Sequence, residues 1–353
     1  MRVTASYDLR GTMGNAVEWA TQREALGLDG IHFPEVARNP FTSLTLAAEH
    51  TDSIRIGTSV AIAFARSPYV MANLGWDLQE YSGGRLMLGL GTQVKGHNER
   101  RFSVPWGPPT ARLREYVGMM RAVWHTWRTG ERPAYEGDYY RYTLDSYVFN
   151  PGPIDYPDPQ ITIAAVRPRN TALGAEIADG VMWHGMLSWA YRDQVLLPAV
   201  EEGARAGGKD PKDLIISGGG FVITAPDEER LRESLGEARR TIAFYASTRT
   251  YQDSIKMAGY EDEGALLHRL SIEQRWAEMA KIVDDEFMEQ FAIVATWDEL
   301  PAKMAERYAG VNTEVGFGAR IDTPEDAEHA RDVIEQLRAI PAYGEVEPAA
   351  VAG

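Results

Sequence analysis

Residues 54–91 read IRIGTSVAIAFARSPYVMANLGWDLQEYSGGRLMLGLG, and this stretch decides the fold. It holds two apolar runs, Ile54–Ile62 and Arg85–Leu90, each too short to be a helix of its own. Each runs into a polar or glycine-rich turn: Ala65-Arg66-Ser67-Pro68 after the first, Gly91-Thr92-Gln93 after the second. Between them the spacing predicts a helix over Pro68–Tyr81. Strand, helix, strand, with both strands continuously apolar, is the pattern of a parallel sheet buried on both faces. In such folds polar residues just past the C-terminal strand ends mark the site.

Working outward, the same unit recurs at the spacing of strand–helix pairs. Arg2–Tyr7 is the first strand, and the helix Ala16–Leu26 stops at Gly27. Gly30–Pro34 is the second strand, with Glu35 at its end, and Ser43–His50 is the next helix. Past Thr92 a long polar loop leads into a helix over Ala111–Arg128. Arg132–Pro159 is a long connection with a small hairpin around Gly137-Asp138, of the kind used for lids and binding loops. The fifth and sixth strands are Ile161–Val166 and Val181–His184, separated by the helix Asn170–Ala178 and followed by another at Arg192–Gly203. Leu214–Thr224 is the seventh strand, broken by three glycines. Asp227–Gln290 is almost entirely helical and longer than one barrel helix needs. After the helix Asp298–Tyr308 come the eighth strand, Val315–Ile321, and a closing helix, Thr323–Ala339. Thr323 is its N-cap and Pro324 its first residue. The pattern predicts an α/β (β/α)8 TIM barrel with a helical insertion after strand 7. A single domain spans residues 1–340, with the insertion at about 226–310 and a flexible tail over 341–353.

Composition narrows the function. The 353 residues contain no cysteine, which excludes disulfides, thiolate metal sites and cysteine nucleophiles. A net charge of −15 argues against nucleic acid as a partner. No apolar stretch is long enough for a membrane span, and the N-terminus has no signal-peptide core, so the expectation is a cytoplasmic protein. Nothing has the spacing of a metal site, a P-loop or a nucleophile elbow.

Five stretches in this order resemble the luciferase-like monooxygenase family, in the branch that uses the deazaflavin coenzyme F420. They are GLDGIHFPE, RIGTSVAIAFARSP, YSGGRLMLGLGTQVKGHNE, ITIAAVRPRNTALGAEIADG and IAFYASTRTY. The resemblance covers nearly the whole chain. It implies a planar cofactor standing in the C-terminal mouth of the barrel, and a cis peptide at Ser59–Val60 bulging against it. The cofactor-binding candidates it implies are Glu35; Ser59, Val60 and Ile62; Gln93 and Asn98; and Ala164, Ala165 and Val166. Relatives acting on sugar phosphates carry a histidine after the acid, where this chain has Val36. That departure argues against a sugar-phosphate substrate.

For proton transfer the candidates are Glu35, His97 and His184. Glu35 follows a buried strand and so points into the mouth, although a helix-start carboxylate facing water fits the same position. His97 can change charge near neutral pH, but a loop histidine is also often simply exposed. His184 faces the mouth if the sixth strand is placed correctly; otherwise it is a core histidine. Lys95, Arg100, Arg101, Arg167 and Arg169 could meet an anion or face solvent. Tyr245, Thr248, Arg249 and Tyr251 form a polar cluster on the substrate side, with Trp183 and Trp189 as walls. The expected activity is hydride transfer between F420 and a small hydrophobic or aromatic substrate, in a homodimer. An FMN-dependent monooxygenase and a cofactor-free binding barrel are the alternatives.

Overall fold

Eight parallel strands close on themselves, with the helices outside. The computed structural model describes residues 1–9, 11–318 and 320–346. Its strands in chain order are β1 (Arg2–Ser6), β2 (Gly30–Phe33), β3 (Arg55–Thr58), β4 (Ala61–Ile62) and β5 (Leu86–Gly91). A hairpin, β6 (Tyr135–Glu136) and β7 (Arg141–Tyr142), precedes β8 (Gln160–Ala165), β9 (Gly180–Trp183) and β10 (Ile215–Gly218). The last are β11 (Phe221–Ala225), β12 (Ala292–Thr296) and β13 (Glu314–Gly316). The barrel runs β10-β9-β8-β5-β3-β2-β1-β13. It closes where the Thr313 amide donates to the Ile216 carbonyl at 2.9 Å and the Asn312 side chain donates to the Gly218 carbonyl at 2.9 Å. Every residue of β2 and of β5 is buried, as strands sandwiched between a barrel interior and a helix layer must be.

Local chemistry sets where the helices begin. Asn39 and Ser67 each precede a proline and cap a helix, accepting from the amides of Phe41 and Val70 at 3.0 and 3.2 Å. Thr323 and Asp326 form a reciprocal capping box on the closing helix, Pro324–Arg338. Packing then fixes the rest. Trp76, Trp124 and Trp127 are buried together, and the Trp124 indole N–H donates to the Ala72 carbonyl at 2.9 Å.

All eight barrel strands expected from the sequence are present, but three expectations need correction. The apolar run Ile54–Ile62 is not one strand: it is β3 and β4, split at the cis Ser59–Val60 peptide. Leu214–Thr224 is likewise two strands. Gly218, Gly219 and Gly220 all have positive φ, of 79°, 81° and 132°. A Cβ at Gly218 would run into the Trp183 carbonyl. The chain can only turn there with glycine, and β11 leaves the barrel to pair in parallel with β12. The sequence reading assigned β12 no strand at all. The helices of Glu228–Glu289 lie between these two strands. At the C-terminus, Tyr343 is tied down, its amide donating to the Asn312 carbonyl at 2.8 Å. Residues 347–353 of the expected tail, and Ala319 of the expected eighth strand, lie outside the described residues. Among the described residues, no helix is long and apolar enough to cross a membrane.

Gly89 shows how tightly the strands approach at mid-barrel. A Cβ there would strike the Thr58 carbonyl oxygen, and would lie 2.8 Å from Met182 Sδ. Gly89→Ala is expected to lower stability by about 1–3 kcal/mol, the usual range for overpacking a core. Urea unfolding measures it, and an unchanged midpoint would rule out this close approach.

Candidate active site

The parity of the strands decides which side chains reach the mouth, because alternate residues share a face. Met182 points inward, against Gly89. His184, two residues on, therefore points inward too, at the top of the barrel. Thr162 and Ala164 share the inward face of β8, and an ideal Cβ at Gly91 would lie 3.5 Å from that of Ala164 and 2.7 Å from Val60 Cγ2. Val60, Gly91 and Ala164, drawn from three strand ends, thus meet in a floor of small groups. Ala165 and Val166 do not join it. The Ala165 side chain packs outward in the cluster of Trp183, Leu187 and Leu196, and the partly buried Val166 packs against that cluster.

Beside the floor, Asn98 is fully buried. Its amide nitrogen donates to the Thr92 carbonyl at 2.9 Å and the Val94 carbonyl at 3.2 Å, which pins the loop after β5. Among the described residues, nothing donates to its Oδ1. A buried acceptor without a donor costs about 1–3 kcal/mol unless a ligand supplies one. Gln93, a few residues earlier, adopts a left-handed φ of 55°. Outliers of that kind gather at ligand clamps. Ser59 is half-buried, its hydroxyl 3.4 Å from that of Ser6.

Glu35 has a different occupation from the proton transfer expected of it. Arg66 grips both of its oxygens, at 2.8 Å each. Its Oε2 also accepts from the Ile62 amide at 2.7 Å. The pair is nearly enclosed, the side chains retaining 10% and 15% of their exposure. Glu35 therefore locks the end of β2 onto β4, directly behind Val60. A carboxylate so held is a positioning group, and Ile62 contributes its amide to that lock rather than a contact of its own. Arg66 is the residue the sequence reading missed. Its signal was an arginine at a buried strand end, with one acid placed to meet it.

His97 stands exposed on the short helix Lys95–Arg100, with no side-chain partner among the described residues. His184 is enclosed by rings: Tyr245 at 4.3 Å, Tyr251 at 4.8 Å and Phe221 at 5.9 Å between centroids. Its Nδ1 accepts from the Met186 amide at 3.0 Å. An Nδ1 that accepts has no proton, so the neutral ring carries it on Nε2. Burial among these rings pushes the pKa down to about 4. The result is a neutral imidazole with its proton on Nε2, for which the described residues offer no hydrogen-bond partner. Of the expected cluster, Tyr245 and Tyr251 surround this ring, while Arg249 turns to His268 at 3.2 Å. Arg167 pairs loosely with Asp253 at 3.6 Å, and Arg101 donates to the Val36 carbonyl. Trp183 is buried in the outward cluster, and Trp189 donates to the Glu289 carbonyl at 2.7 Å. Among the described residues, no group of His, Asp and Glu is arranged to hold a metal.

The sequence profile described as luciferase-like monooxygenase matches residues 1–314. An uncharacterized protein of Mycobacterium tuberculosis is 40% identical over 310 residues, covering 88% of this chain and 91% of that protein. A putative coenzyme F420-dependent oxidoreductase of the same organism is 28% identical over 342 residues, covering 90% and 93%. Among solved structures, the coenzyme F420-dependent tetrahydromethanopterin reductase from Methanopyrus kandleri superposes with a TM-score of 0.76 at 17% identity, covering 96% and 98%. An F420-dependent secondary alcohol dehydrogenase in complex with an F420-acetone adduct gives 0.72 at 18% identity, covering 96% and 99%. The oxygenating component of 3,6-diketocamphane monooxygenase from Pseudomonas putida, in complex with FMN, gives 0.67 at 16%, covering 99% of each chain.

Proposed function

We propose that this enzyme, which belongs to the luciferase-like monooxygenase family, uses coenzyme F420 to move a hydride to or from an uncharged, largely apolar carbonyl or alcohol. The observation that carries the chemistry is neutral His184 at the top of the barrel, its Nδ1 held by the Met186 amide and its Nε2–H left free of described partners within a surround of aromatic rings. The coenzyme assignment draws support from the relative named for F420 dependence.

The chain's residues fit the group. A flat ring needs small side chains beneath it, and Val60, Gly91 and Ala164 supply them. The pyrimidine end of a deazaflavin carries a ring N–H, the kind of donor that Asn98 Oδ1 lacks. When bound, the deazaflavin supplies or accepts two electrons and a hydrogen as hydride, and carbon at its position five disfavours reaction with oxygen. Reduction of a carbonyl adds hydride to carbon and leaves an alkoxide, which takes its proton from solvent water to give the alcohol. His184 would hold that oxygen through Nε2–H and stabilise the charge developing there, as a neutral hydrogen-bond donor. Phe221, Tyr245 and Tyr251 keep water from the reacting carbon. The Glu35–Arg66 pair holds the floor in place. In the same reading the protein works as a homodimer, without nucleic acid or membrane.

The floor and Asn98 also admit a flavin ring, so titration decides between the two. Purified protein titrated with F420 is expected to quench tryptophan fluorescence and to perturb the coenzyme's absorbance. Tight FMN binding with no response to F420 would overturn the assignment in favour of a monooxygenase. No response to either would point to a binding barrel.

A further inference from the structure

We infer that the groove between β11 and the helix Glu228–Ala246 is a channel for the substrate's chain, and that the enzyme selects ketones or secondary alcohols with one long, uncharged apolar arm. The inference rests on the reading of His184 given above.

The groove encloses about 330 Å³, within the range of small-molecule sites. Phe221, Val222 and Ile223 form one wall; Ala238, Thr241 and Ile242 form the other. Four of the five β11 residues remain only half-buried, although most of them are apolar. Strand side chains of that kind are normally covered, and here the open groove leaves them reachable. At one end the groove comes up against the rings around the reacting centre. Phe221 belongs both to the wall and to the rings around His184. On the helix, Ser234, Ala238, Thr241 and Ile242 lie on one face at spacings of three, four and seven or eight. The next turn on that face brings Tyr245, whose ring lies 4.3 Å from His184. An oxygen bonded to His184 Nε2 would therefore leave an attached chain at the mouth of the groove.

Charge narrows the chemistry. The lining includes Glu237 and no lysine, arginine or histidine. A carboxylate or phosphate at the end of the chain would meet a like charge with no counterion. The arm is therefore uncharged.

The test uses the F420-loaded enzyme and 2-ketones of four to twelve carbons, with the matching 2-alcohols for the reverse direction. kcat/KM is expected to rise about threefold for each methylene added until the groove is full. A terminal carboxylate on the longest member should abolish that gain. Ala238→Trp fills the groove from the helix side, about two turns from Tyr245. It is expected to lower the ratio of kcat/KM between the twelve- and four-carbon ketones by at least tenfold. Thr241→Phe should do the same, and stands in if the first variant does not fold. The F420 dissociation constant of each variant serves as the control. A flat length profile, or a steep one that survives both substitutions, overturns the channel. Turnover of none of these compounds by an enzyme that binds F420 would instead overturn the carbonyl reading.

Discussion

Arg66→Met is expected to destabilise the protein by about 3–5 kcal/mol, the cost of leaving a buried carboxylate without its partner. In the native fold Glu35 is gripped at both oxygens and its side chain retains only 10% of its exposure. Removing the guanidinium strands that charge beneath the barrel mouth. The Ile62 amide, the one other donor to it, cannot replace two charge-assisted bonds. The effect should reach the site as well, because Glu35 joins β2 to β4 on either side of Val60, whose carbonyl accepts from the Glu35 amide at 3.3 Å. F420 affinity should therefore fall together with the urea midpoint. Glu35→Leu combined with Arg66→Met should recover most of the stability, since an apolar pair of similar volume leaves no orphaned charge. It should recover less of the affinity, because the tie between the strand ends is gone. A single Arg66→Met variant that unfolds at the wild-type urea concentration would show that the pair does not hold the mouth together.

The second large effect is expected at His184. His184→Asn keeps an acceptor for the Met186 amide but withdraws the Nε2–H donor proposed to meet the substrate oxygen. Loss of one such donor lowers kcat by about a hundred- to a thousandfold where it stabilises developing charge on oxygen. His184→Gln places an amide N–H near the former Nε2 and should restore part of that loss. Neither variant should alter F420 affinity more than a few-fold, since His184 serves the substrate side. Turnover of His184→Asn at the wild-type rate would remove His184 from the chemistry.

The same residue predicts a pH signature. The folded ring has its pKa pushed down to about 4, against 6.5 for an ordinary histidine. Between these values the unfolded chain binds a proton that the native ring refuses, so stability falls as pH drops from about 6.5 toward 4 and rises as pH returns. The His184 resonance, identified by its absence in His184→Asn, should stay constant from pH 8 to 5 and shift only near 4. An ordinary midpoint near 6.5 would mean the ring is solvated, and the donor reading would fail with it.

The sequence by itself determined the features that depend on residues close together in the chain. Apolar runs bounded by turns marked all eight barrel strands, because two-sided burial imposes that pattern on each strand separately. The cap at Thr323 was legible for the same local reason. The backbone break at Ser59–Val60 followed from the resemblance of one short motif. Tertiary structure alone decided the rest. Whether Glu35 would be a free base or half of an ion pair depended on where Arg66 landed, 31 residues away. Three glycines showed that the seventh strand was unusual, but only the position of the Trp183 carbonyl and the pairing of β11 with β12 showed that it leaves the barrel. His184 could equally have been a core residue until the Met186 amide and three rings from distant segments fixed its proton and held it neutral. Local patterning specifies which segments become strands and helices; which charges meet and which side chains are shut away from water follows from how those segments pack.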